Sequence, residues 1–196
     1  MNVNRAIDQI SEIHEHLARA ELYRGYRSAP VAISGIVGIL AALFQSHLAG
    51  ESAQDFVRYW LLVGPLAAMT SMGEIAYHYL RNPNASARKK TRTVIWQFFP
   101  CLLAGFAVTV IFYRMGDSTI SLLPGTWALL FALGIFSSRP YLPRMIGFVA
   151  MAYLVGGSVL LTMAIEGTSL SPWGMGIVFG GGQLLSAIIL YWNLER

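Results

Sequence analysis

Six apolar runs, each close to the length of a helix that crosses a bilayer, constrain this chain more than any other feature. They fall at Ala29–Leu48, Val57–Leu80, Val94–Tyr113, Thr119–Ser137, Arg144–Ile165 and Leu170–Trp192. A helix rising 1.5 Å per residue needs about 20 residues to cross about 30 Å of hydrocarbon. A membrane strand needs only about 10, with alternating polarity. These runs are too long and too evenly apolar for strands. The expected fold is therefore all-α, a polytopic membrane protein built as a bundle of six transmembrane helices. The composition agrees, since only 12% of residues are charged where a soluble domain carries about 25%.

The sequence divides at residue 28. Residues 29–196 form the expected six-helix transmembrane domain. Residues 1–28 are polar, with Val3, Ile7, Ile10, Ile13 and Leu17 spaced by 3 and 4 opposite Asp8, Glu12, Glu15 and Arg19. That spacing predicts an amphipathic cytoplasmic or interfacial helix. Its apolar face needs cover from the membrane surface, the inner ends of the later helices, or a membrane or cytoplasmic protein partner. The chain opens on polar residues and its first apolar run begins near Pro30, a pattern unlike a cleavable signal peptide.

Charge sets the expected orientation. With the N-terminus inside, twelve of the fourteen Lys and Arg residues face the cytoplasm, leaving Arg58 and Arg114 on the far side. The loop after the second span holds the densest group, the topology anchors Arg81, Arg88, Lys89, Lys90 and Arg92. This bias predicts six spans with both termini in the cytoplasm. The net charge of +4 is read as topological, because the cations flank membrane spans; no nucleic acid is expected as a partner. The lone Cys101 cannot form an intrachain disulfide.

Chemistry-bearing residues inside the spans are few. Glu74 is the only acid well inside an apolar run, and His78 follows four residues later on the same helix face. An ionised acid in hydrocarbon costs on the order of 3 kcal/mol, so Glu74 should face the bundle with His78 or Arg81 as partner. Gln183, in the last span, completes a candidate intramembrane polar site of Glu74, His78 and Gln183. Just before it, Gly180, Gly181 and Gly182, with Gly174 and Gly176, offer a smooth surface for close helix packing, with a local break in the helix as a further expectation. Gly35, Gly38, Gly156 and Gly157 suggest more such contacts. Pro65, Pro100 and Pro124 interrupt the second, third and fourth spans, each freeing a carbonyl that needs a partner. Gln97 is one candidate partner near Pro100.

Neither a metal site nor a cofactor is expected. His14 and His16 point to different helix faces, and His47 and His78 are expected on opposite faces of the membrane. No Ser-His-Asp set, metal-spaced Cys/His cluster or pair of intramembrane acids is visible, so no catalytic residues are assigned and the chain reads as a non-enzyme.

The run Pro124-Gly125-Thr126-Trp127-Ala128-Leu129-Leu130, the stretch IFSSRPYLPRMIGF, Tyr153 to Gly157 and GIVFGGGQLLSAIILYW together resemble a family of small bacterial integral membrane proteins of about this length. The resemblance covers roughly the C-terminal third. It implies a six-helix protein of the bacterial inner membrane and, through winged-helix regulators often encoded beside such proteins, a role in signalling or membrane stress. It supplies no site residues. The expected function is that of a non-enzymatic accessory or regulatory membrane subunit. The alternative is a small transporter or channel, a homo-oligomer, with a polar path near Glu74, His78 and Gln183.

Overall fold

Backbone that enters lipid must close its own hydrogen bonds, and the apolar runs do so as helices. A computed structural model of the protein describes residues 27–50, 52–81, 85–167 and 170–196. Among the described residues there is no strand. The long helices are α1 (Ser28–Leu48), α2 (Ala53–Arg81), α3 (Ala85–Met115), α5 (Leu123–Ser138), α6 (Ile146–Ile165) and α7 (Pro172–Glu195); α4 (Asp117–Ile120) is one short turn. Five segments are long and apolar enough to cross a membrane: Ser28–Leu48, Ala87–Met115, Asp117–Tyr141, Ile146–Ile165 and Pro172–Glu195. The protein is thus an all-helical integral membrane protein. Helix α2 has 29 residues, ample length, but Asp55, Arg58, Glu74, His78 and Arg81 dilute its apolar content and it falls outside those five. The amphipathic helix expected within residues 1–28 lies almost wholly outside the described residues.

Three expectations about the spans change. Helices α2 and α3 outrun the apolar segments expected at Val57–Leu80 and Val94–Tyr113. At 29 and 31 residues they measure about 44 and 46 Å, against about 32 Å for α1. The fourth segment is divided, because α4 stops at Ile120 and α5 starts at Leu123. Pro124 therefore does not interrupt a helix. It occupies the first turn of α5, where its missing donor costs nothing. Pro65 and Pro100 do lie inside α2 and α3.

The helices follow one another around the bundle in the order α2, α1, α7, α6, α5, α3, with α2 and α3 touching only loosely. Glycine makes the tight contacts. A Cβ at Gly180 of α7 would lie 2.8 Å from Ile39 Cγ1 and 3.0 Å from the Gly35 carbonyl oxygen of α1. One at Gly176 would lie 2.6 Å from Ala42 Cβ, and one at Gly38 would lie 3.2 Å from Gly180 Cα. Gly125 of α5 and Gly157 of α6 face each other the same way, each within 3 Å of the other's carbonyl oxygen if it carried a Cβ. Gly156 abuts Val178, Gly174 abuts Leu160 and Gly182 abuts Tyr153, which joins α6 to α7. Helices in lipid gain little from the hydrophobic effect on association, so backbone proximity of this kind supplies the dispersion energy that holds them. Gly181 is the exception to the expected packing surface, with nothing within 4 Å of its Cβ position.

The expected local break is a π-helical stretch, Gly176–Gly181. Widening the helix there exposes backbone carbonyls, and Tyr153 Oη donates to the Phe179 carbonyl at 3.1 Å. Replacing Gly180 by Ala forces α1 and α7 apart. It should lower stability by about 1–3 kcal/mol, whereas Gly181→Ala should stay within about 1 kcal/mol of the parent. Thermal or SDS unfolding of the purified variants in one detergent checks the contrast.

Candidate functional site

The spacing of Glu74 and His78 on α2 brings them together as expected, with His78 Nε2 3.5 Å from Glu74 Oε1. The second partner is not Arg81. Glu74 Oε1 lies 3.7 Å from Arg27 Nε, just before α1, while Arg81 turns back over the Tyr77 ring and donates to its hydroxyl. The pairing with Arg27 fixes the depth of Glu74. One turn earlier on α2, Thr70 Oγ1 lies 3.2 Å from the Pro30 carbonyl oxygen while its hydroxyl bonds the Ala67 carbonyl at 2.7 Å, so Glu74 is level with the very start of α1. Glu74 is an acid at the rim of the bundle, and its side chain is 20% exposed. The α2 segment after it and the first turns of α3 project past that rim, carrying Arg81, Arg88, Lys89, Lys90 and Arg92.

The same rim holds a clamp that the spacing of residues did not reveal. The Glu195 carboxylate, at the end of α7, accepts from the Ser28 backbone N–H and from Ser28 Oγ, each at 2.7 Å. An anion placed on the N-terminus of α1 also meets the positive end of the helix dipole. This bond closes the α1–α7 pair at the end opposite its glycine contacts.

Gln183 is not part of this group. It lies about 18 Å along α7 from Glu195, inside the bundle, and its Oε1 is buried without a hydrogen-bond partner. Gln97 Oε1 and Ser138 Oγ share that condition. Gln97 thus contributes an unpaired acceptor near Pro100. Next to Gln97 and close to Gln183 in sequence, Phe98 of α3, Phe131 of α5, Tyr153 of α6 and Phe179 of α7 stack in one cluster. Ring centroids are 5.1 Å apart for Phe98–Phe131, 4.9 Å for Phe131–Tyr153 and 5.6 Å for Tyr153–Phe179. This aromatic plug joins four helices across the middle of the bundle.

The opposite end holds a partly polar cavity. Trp60 Nε1–H donates to Gln45 Oε1 at 2.7 Å, both side chains being buried. Above this pair opens a cavity of about 480 Å³ lined in part by Gln45, Ser46, Ser52, Ser121 and Phe56. Gln45 stood in the sequence as a lone amide inside an apolar run, which was the signal available for it. Nearby, Arg58 donates to Tyr113 Oη at 2.7 Å and lies 3.7 Å from Asp55, which ties α2 to α3.

The Glu74–His78 contact lies at the rim, and Gln183, buried within the bundle, does not extend it. Among the described residues no three His, Cys, Asp or Glu side chains are grouped to hold a metal ion. No protein-family model matches the chain, and no curated protein or solved structure shows significant similarity to it.

The Arg27–Glu74 pair is partly exposed, so its coupling in a double-mutant cycle should be below about 1 kcal/mol. Gln45→Leu strands a buried indole donor and should cost about 1–3 kcal/mol. Unfolding in detergent reads both.

Proposed function

We propose that the chain is a six-span protein of the bacterial cytoplasmic membrane, with both termini inside, acting without catalysis as an accessory or regulatory subunit. The observation that carries this reading is the aromatic plug. Phe98, Phe131, Tyr153 and Phe179 pack ring against ring between four helices around the buried Tyr153, which fills the bundle at that level and supports a reading without a solute path through one copy. Surfaces rather than a channel are then left to carry function: the lateral faces of the helices, the projecting basic hairpin and the segment 1–28 with its amphipathic sequence pattern.

The count of six draws support from helix α2, which follows α1 along its length. Tyr59 Oη donates to the Ala41 carbonyl at 2.8 Å near one end, and Thr70 reaches Pro30 near the other. Wherever α1 crosses, α2 crosses beside it, and its polar residues find partners at the two rims. The concentration of Lys and Arg after α2 assigns that rim to the cytoplasm.

A second reading, a small oligomeric transporter or channel, draws support from the cavity above Gln45 and the unpaired acceptors on Gln97 and Gln183. The two readings separate in proteoliposomes. The accessory reading expects no solute flux by the purified protein alone, and loss of the cellular phenotype on deleting residues 1–24. Flux that falls at least about tenfold, a barrier change of about 1.4 kcal/mol, in Gln183→Leu or Glu74→Gln would establish the transporter instead.

A further inference from the structure

We infer that the groove between the basic ends of α2 and α3 binds an anionic phospholipid, with its phosphate on Arg92 and an acyl chain against Ile95 and Trp96. Helix α2 leaves this groove open because its buried residues, Phe56, Val57, Trp60 and Val63, all lie in its other half. The resulting cleft has a volume of about 210 Å³ and is lined by Ile75, Ala76 and Tyr79 of α2 and by Arg92, Ile95 and Trp96 of α3. Its walls are almost wholly apolar apart from Arg92. A cleft whose lining combines one cationic residue, Arg92, with hydrocarbon walls complements an amphiphile that carries one anion.

Depth and periodicity agree with that occupant. Glu74 marks the rim of the bundle, and Ile75 follows it directly, so the cleft lies at the boundary of headgroups and acyl chains. Trp96 is 64% exposed there, as suits an interfacial aromatic side chain. Along α3, Arg88, Arg92, Ile95, Phe99, Leu103 and Phe106 recur at steps of 3 and 4, hence on one face, and all are exposed. This stripe runs from cation to hydrocarbon in the order that a lipid runs from phosphate to chain end. Among the described residues, neither Arg88 nor Arg92 has a carboxylate within ion-pair distance, whereas Arg27 and Arg58 do. An acidic soluble protein would satisfy the two arginines but would not reach the apolar part of the stripe. The site also stands apart from the function proposed above, because a lipid can hold the hairpin in a transporter as well as in an accessory subunit.

The test uses the full chain in vesicles containing brominated phosphatidylglycerol or brominated phosphatidylcholine at equal mole fraction. Bromine quenches nearby tryptophan, and the difference between wild type and Trp96→Phe isolates Trp96. We expect association of phosphatidylglycerol at Trp96 to be about fivefold stronger than that of phosphatidylcholine, the worth of about one cation near an anionic headgroup. Arg92→Gln should bring the ratio close to one, while Lys89→Gln, a cation of the same helix off the groove, should leave most of the preference. Excess inorganic phosphate should leave it intact. Equal quenching by the two lipids in the wild type overturns the proposal. So does an equal loss in Arg92→Gln and Lys89→Gln, which would mean diffuse surface attraction, and so does displacement by inorganic phosphate, which would mean a phosphate site.

Discussion

The close approach of α1 and α7 at Gly35, Gly38, Gly176 and Gly180 is the contact on which the rest of the bundle depends. In lipid the outer and inner faces of a helix are nearly equal in polarity, so burying leucine gains little. What distinguishes the right neighbour is how near the two backbones come, and only residues without a bulky side chain allow the nearest approach. The α5–α6 pair uses the same device at Gly125 and Gly157. The α6–α7 contact uses a variant in which glycine receives a side chain from across the interface, as Gly182 receives Tyr153.

That last contact links packing to backbone geometry. The π-helical stretch of α7 presents the Phe179 carbonyl to Tyr153, and the Tyr153 ring then lies between Phe131 and Phe179. Small residues, a locally widened helix and a stacked aromatic centre are therefore one arrangement. Removing any part would leave either a void or an unpaired carbonyl where no water reaches. The Ser28–Glu195 clamp adds a polar fastening at the rim, where the chain leaves hydrocarbon and charge is less costly.

The bundle is asymmetric around its circumference. On the side of α1, α5, α6 and α7, glycines bring backbones together. On the side of α2 and α3, Gly64 and Gly73 of α2 face open space, and the two helices touch only loosely. The same two helices are the longest and project furthest past the rim. The part of the molecule best suited to meet lipids or partners is thus the part least committed to internal packing. Glu74 belongs to this region: it pairs with Arg27 at the rim instead of lining a path through the bundle.

Local chemistry was legible in the residue order. Apolar runs of bilayer length specify helices because each backbone group in lipid must find its partner within its own segment, a requirement that needs no knowledge of neighbours. The same holds for Glu74 beside His78, which follows from helical periodicity. What the residue order left open depended on which helices face each other. Gly180 and Gly181 are identical and adjacent, yet one touches α1 and the other touches nothing. Glu74 looked like an acid inside a span until the register of α2 on α1 set it level with Arg27. Gln45 with Trp60, Ser28 with Glu195 and the four-helix aromatic plug join positions far apart in the chain. Residue order is enough to specify a membrane protein of long helices, because hydropathy is a property of segments. The order of the helices and the depth of the polar residues emerge in the folded bundle, because they depend on backbone proximity and helix register between segments.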